Sequence, residues 1–160
     1  MTGARVAPTL GSMSAPTRSP ERAVTHAVVT AQPIDVDALE ALVGGPSHGA
    51  VVTFVGAVRD HDHGRRVQDL RYEGHPSAAG VLAQLVDAVV RRHPAVTMAT
   101  AHRIGDLSVG DPAFVVVAGA AHRGEAFDAC RDLVDTVKDG LPVWKLQRFT
   151  DGTQEWVNCA

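Results

Sequence analysis

The spacing of apolar residues along this chain changes period several times, and each change sets an element boundary. Residues 49–58 (GAVVTFVGAV) form a continuous β-branched run that predicts a buried strand, and 113–121 predicts another. Weaker patterns over 23–30 and 96–104 add two more strands, and 67–73 is expected to return as the partner of 49–58 across the polar run from Asp60 to Arg66. After Pro76 the period lengthens. Val81, Leu82, Leu85, Val86, Val89 and Val90 fall on one helical face, and Pro94 stops that helix after His93. A second helix is predicted over 124–139, with Phe127, Cys130, Val134 and Val137 facing inward and Gly140 and Pro142 ending it. Asp35 has the position of an N-cap for a short helix over 36–43, closed by Gly44-Gly45-Pro46. Residues 105–110 read as a turn-rich link, and Asp151-Gly152 predicts a hairpin turn between strands over 143–150 and 154–157. Residues 1–22 are rich in Pro, Ser, Thr and Gly and predict a disordered tail, leaving one domain over 23–160. The order of strands and helices predicts an α+β fold, with helices packed on a mixed or antiparallel sheet.

Composition narrows the function classes. A net charge of -3 gives no overall basic field for nucleic acid or an anionic membrane, and no apolar run approaches the length of a membrane span. The first residues lack the apolar core of a secretory signal. Cys130 and Cys159 supply neither a disulfide framework nor a metal-binding spacing, which suits a reducing cytoplasm. Trp144 and Trp156 are expected to mark packed spots near the C-terminus. The Asp/His alternation from Asp60 to His63 has no third, distant ligand, so it reads as a mobile solvated loop; neither a metal nor a cofactor is implied.

Against this background one stretch stands out. The chain has thirteen arginines but two lysines, Lys138 and Lys145, on either side of a Gly-x-Pro break. An ammonium has a tunable pKa, whereas a guanidinium stays protonated, so two retained amines suggest chemistry that needs an amine. The alternative is two ordinary surface cations. Other cationic groups fall at element ends: Arg59 after the buried strand, His102-Arg103, and His122-Arg123 where a strand gives way to a helix. Free N–H groups at a helix start favour an anion beside Arg123, unless Arg123 pairs with Glu125 or Asp128 and His122 is a hydrogen-bonded cap. For His102-Arg103 a structural role is the expectation. No Gly-rich nucleotide fingerprint and no Gly-x-Ser-x-Gly elbow is present. The residues alone therefore predict a pocket for an anionic small molecule, with room for lysine chemistry.

These strings, in this order, resemble one family, the large catalytic subunit of molybdopterin synthase (the MoaE family). The matching stretches are the run from Gly49 to Arg59 with Asp60-His61-Asp62-His63-Gly64, Tyr72-Glu73, His102-Arg103-Ile104-Gly105 and Ala121-His122-Arg123. Lys138, Pro142-Val143-Trp144-Lys145 and Asp151-Gly152 with Trp156-Val157 complete the set. The resemblance implies an α/β hammerhead-type fold and a homodimer within a 2:2 heterotetramer with a small ubiquitin-like sulfur-carrier subunit. That carrier's C-terminal Gly-Gly thiocarboxylate would pass sulfur to cyclic pyranopterin monophosphate, forming the molybdopterin dithiolene. By the same resemblance Lys138 and Lys145 are the catalytic lysines. The backbone at Ala57 and Val58, with Arg59, His122, Arg123, Lys138, Lys145 and Gln147, would bind substrate. One departure matters: the family commonly carries an acidic residue two positions after the second lysine, where this chain has Gln147. Glutamine keeps hydrogen bonding but cannot act as a base. A non-catalytic paralogue that binds pterin, phosphate or carrier as a scaffold is the competing expectation.

Overall fold

The computed structural model describes residues 25–158; the 1–22 segment and Cys159 lie outside the described residues. Among the described residues the fold has two sheets and three helices. The elements are β1 (Thr25–Thr30), α1 (Val36–Val43), β2 (Ala50–Ala57), β3 (His61–Asp62), β4 (Arg65–Gly74), α2 (Ala78–Arg92) and β5 (Thr97–Arg103). They continue as β6 (Gly105–Ser108), β7 (Pro112–Ala120), α3 (Arg123–Gly140), β8 (Val143–Phe149) and β9 (Gln154–Asn158). The first sheet has the order β1-β5-β7-β2; β1 and β5 are parallel and the remaining pairs antiparallel. The second runs β3-β4-β8-β9, with β6 also paired to β4. The expected α+β class with helices on a mixed sheet is what the chain adopts.

Strand β7 shows why the first sheet is the core. Phe114, Val116, Ala118 and Ala120 point to the side covered by α2 and α3, while Val115 and Val117 pack with Leu39 and Val43 of α1. A strand covered on both faces needs an unbroken apolar run rather than alternation, and Ala113 to Ala120 supplies it. The short helix α1 is held at its start as expected, with the Asp35 carboxylate accepting from the Ala38 N–H at 3.0 Å.

Several expectations are corrected. Strand β4 is not the partner of β2: the β2–β7 pairing shifts register between Gly56 and Ala57 and stops at Ala57, and the chain crosses to the second sheet, where β4 pairs with β6 and β8. The Asp60–Arg66 run is a tight hairpin rather than an open loop. His61 pairs with Arg66 and Asp62 with Arg65, around a two-residue turn in which His63 (φ 48) and Gly64 (φ 78) are both left-handed. That conformation matches the twist of the flanking strands, and glycine at the second position adopts it without steric cost. The 105–110 link contains a strand, β6, launched by Gly105 at φ 91. Helix α2 begins at Ala78, two residues after Pro76.

Phe127 is 58% exposed, because the buried stripe of α3 runs through Ala126, Ala129, Cys130, Leu133, Val134 and Val137, one position away in helical phase. Trp144 and Trp156 are exposed as well. Leu146 pairs directly with Trp156, and Trp144 lies two residues before it, so these side chains share the sheet face opposite Lys145 and Gln147.

Helices α2 and α3 are clamped by one polar cluster. Asp132 accepts from Arg92 Nε and Nη2, both at 2.8 Å, and lies 2.9 Å from His93 Nε2, with Thr136 completing the group. The bond from Arg92 is the main reason the Asp132 carboxyl falls to about 2. A depressed carboxyl stabilises the fold above its ordinary value near 4 and loses that contribution as pH falls towards 2. Because Arg92 is half-exposed, solvent screening reduces the effect to about 1 kcal/mol. Urea unfolding of Asp132→Asn is expected to show that loss at pH 7 and a smaller difference from the parent protein at pH 2. Equal differences at both pH values would contradict the ion-pair origin.

Candidate active site

A cleft of about 440 Å³ opens where the two sheets meet the end of α3. Its walls come from the exit of β2 (Gly56, Ala57, Val58, Arg59), from β4 (Leu70, Tyr72), from β5 and β7 (His102, Ala113, Phe114), from α3 and its exit (Val137, Lys138, Leu141), and from β8 (Val143, Lys145, Gln147). Each cationic side chain is delivered by a local feature. At the shift ending β2, the Val58 N–H donates to the Asp111 carbonyl and the Gly110 N–H to the Val58 carbonyl. Those bonds pin the Ala57-Val58 backbone at the cleft mouth, with Arg59 just beyond. Lys138 lies in the last turn of α3, as expected, where the helix C-terminus favours a cation. Lys145 and Gln147 alternate on β8 and so face the same way, opposite Tyr72 and Leu70 of β4. Three of the four cations in the sequence-based proposal thus reach one hollow, and both lysines are among them.

The exception is the His122-Arg123 pair. It starts α3 and Lys138 is near its end, which separates Arg123 from Lys138 by about 22 Å along the helix axis. Neither residue lines the cleft. His122 makes no side-chain capping bond, and among the described residues Arg123 forms no ion pair with Glu125 or Asp128. The structural alternative for this dipeptide therefore fails too: its donors stay available at a helix N-terminus.

His102 in the cleft wall and Asp62 behind it were given no functional role by the sequence. His102 is 6% exposed, stacked on Phe114 at 5.6 Å and edge-on to Tyr72 at 5.2 Å, with Nδ1 3.0 Å from the Arg103 carbonyl. That contact assigns the proton to Nδ1 and leaves Nε2 an acceptor. Burial pushes its pKa down to about 4; the Arg103 carbonyl opposes the shift and the Lys138 charge adds to it. The cleft floor is therefore a neutral imidazole at physiological pH. Asp62, placed by the β3–β4 hairpin, has a side chain only 12% exposed. It lies 3.0 Å from Arg59 Nη2 and 3.8 Å from Lys145 Nζ. The Asp/His alternation flagged that run, but its fold-back onto β8 depends on turn geometry that composition does not reveal.

Fold and cleft together define a class: an α+β protein whose cleft brings two amines and a guanidinium together. Within that class the chain belongs to the MoaE family, whose description, MoaE protein, matches residues 29–140. The molybdopterin synthase catalytic subunit 1 of Mycobacterium tuberculosis is 41% identical over 138 residues, covering 86% of this chain and 93% of that protein. The crystal structure of molybdopterin synthase from Staphylococcus aureus superposes with a TM-score of 0.76 at 29% identity, covering 81% of this chain and 94% of that one. A complex of subunits 1 and 2 of the molybdopterin-converting factor from Helicobacter pylori shares the fold at 20% identity, with a TM-score of 0.62 and coverage of 83% of this chain and 89% of that one.

Proposed function

We propose that this chain is the catalytic subunit of a molybdopterin synthase, which transfers sulfur from the thiocarboxylated C-terminus of a small ubiquitin-like carrier to cyclic pyranopterin monophosphate. The observation that carries the reading is the convergence of Lys138 and Lys145, the two lysines of the chain, with Arg59 on one cleft. A thiocarboxylate and a cyclic phosphate repel one another, and fixed cations allow them to approach at no reorganisation cost during the reaction. In this reading Lys138, at the open end of α3, meets the thiocarboxylate carbonyl, stabilises the charge that develops on its oxygen and assists proton transfer. Lys145, deeper in the cleft with its side chain 19% exposed, holds the pterin beside Gln147. Arg59 and the Ala57-Val58 backbone bind substrate at the mouth.

His122 and Arg123 complete this assignment only across a subunit boundary. They start α3 while Lys138 is near its end, and they do not line the cleft of their own chain, so in this reading the phosphate-binding role falls to the same residues of a second copy. A homodimer with a carrier at each end, a 2:2 heterotetramer in the cytoplasm, is the assembly that fits. The test is subunit complementation. Mixed dimers of a Lys138→Ala chain and an Arg123→Ala chain carry one doubly damaged and one intact cleft, and are expected to regain about half the activity per dimer. No recovery in verified mixed dimers would remove Arg123 from a cleft shared between two chains.

The scaffold reading keeps one supporting observation, Gln147 in place of an acidic residue. Purified protein supplied with thiocarboxylated carrier and cyclic pyranopterin monophosphate separates the two. Dithiolene formation establishes the enzyme, whereas binding without turnover establishes the scaffold.

A further inference from the structure

We infer that Asp62 is a positioning residue for the cleft, and that it acts through Lys145 and Gln147 from behind the wall. The inference rests on the function proposed above for the reaction it serves, but its structural content stands apart from that reading. Asp62 does not itself line the cleft, whereas Arg59, Lys145 and Gln147 do. Its two oxygens divide the work. Oδ1 takes Arg59 Nη2 at 3.0 Å and lies 3.4 Å from His63 Nδ1, while Oδ2 lies 3.8 Å from Lys145 Nζ. Burial would raise this carboxyl, yet the neighbouring Gln147 amide and the charges of Lys145, His63 and Arg59 together hold it below the ordinary range.

An ionised carboxylate can only accept hydrogen bonds, so the side of Gln147 turned to Asp62 must be its NH₂. The amide oxygen is then directed elsewhere. Gln147 is 3% exposed and its Oε1 has no partner. A buried acceptor without a donor is costly, and here it sits in the wall of a substrate cleft. Asp62 thus fixes an amide so that its oxygen accepts from an N–H edge of the ligand, as a pterin ring presents, and holds the Lys145 ammonium beside it. The same carboxylate joins the mouth cation to the inner one, which links Arg59 to the pterin end of the cleft.

The sign of the Asp62→Asn effect distinguishes positioning from bulk electrostatics. Removing a negative charge makes the cleft more cationic, so a mere counter-charge would give tighter binding of an anionic substrate. Positioning predicts the opposite: a KM for cyclic pyranopterin monophosphate raised about tenfold, with kcat within about twofold, because the neutral amide lets Gln147 flip and releases Lys145. The exchange Asp62→Asn with Gln147→Glu restores one carboxylate beside Lys145, one amide donor facing it and one free acceptor. It is expected to bring KM back to within about threefold of the parent value. An unchanged or lowered KM for Asp62→Asn overturns the inference, as does an exchange variant no better than the single one while both melt cooperatively. A substrate-free readout separates this from failure of the functional reading. The Gln147 side-chain amide protons should exchange with solvent at least about tenfold faster in Asp62→Ala than in the parent protein. If the parent makes no dithiolene, the functional reading fails and this exchange rate alone decides for or against Asp62.

Discussion

Lys138→Ala is expected to lower sulfur transfer by about 10²–10³-fold or more when loaded carrier is supplied, with little change in stability. The stability half follows from placement. Lys138 is exposed in the last turn of α3 and, among the described residues, holds no ion pair, so truncation opens no cavity and strands no partner. The activity half follows from the neutral floor beside it: with His102 uncharged, Lys138 is the cation supplied by this side of the cleft. Lys138→Arg sharpens the test, because a guanidinium keeps the charge but cannot release a proton near neutrality. If Arg restores most of the rate, Lys138 acts electrostatically; if it restores little, proton transfer is part of the role. Turnover near the parent rate in Lys138→Ala would remove Lys138 from the reaction. The measurement is single-turnover dithiolene formation, which isolates chemistry from carrier exchange.

The second large effect is on stability against pH. His102 has a folded pKa of about 4 against an ordinary value of 6.5, so between those limits the unfolded chain binds a proton that the folded chain refuses. For a histidine buried in its neutral form, stability falls as pH drops through 6.5 and stops falling on this account near 4. The two values convert to about 3 kcal/mol at most. This window lies above the one in which Asp132 loses its contribution, so the two groups can be read apart. Urea unfolding between pH 7 and 4.5 should show the decline, and His102→Gln should flatten it. A His102 imidazole resonance that titrates near 6.5 in the folded protein would contradict the burial argument.

Much of this molecule was legible from residue order because the strongest elements are one-dimensional patterns. The run through β7, the stripe of α2 and the N-cap at Asp35 each carry their structure locally. The same holds for Lys138 and Lys145, whose placement at a helix end and on the following strand needed only the Gly140 and Pro142 break. Failures came where the outcome depended on a partner far along the chain. Phe127 and the two tryptophans are apolar, but which helical phase or sheet face is covered is decided by packing, and these lie on the uncovered side. The pairing of β4 with β8 rather than β2 rests on contacts some seventy-five residues apart, such as Tyr72 with Lys145. His102 is packed structurally, as expected, but that this packing also puts it in the cleft wall depends on Tyr72 of β4 and Phe114 of β7 on either side. Arg123 was grouped with the other cations by residue type alone, and a helix of fixed rise carries it away from the cleft they line.

The left-handed pair at His63 and Gly64 carries one more implication. Side chains alternate along β3 and β4, so adding or deleting a single residue in this short bend would rotate Asp62 to the outer surface. Homologous proteins should therefore tolerate substitutions at the outward-facing positions of this bend, Asp62 and Gly64 apart, but few indels, a pattern opposite to that of an ordinary solvent-exposed connector.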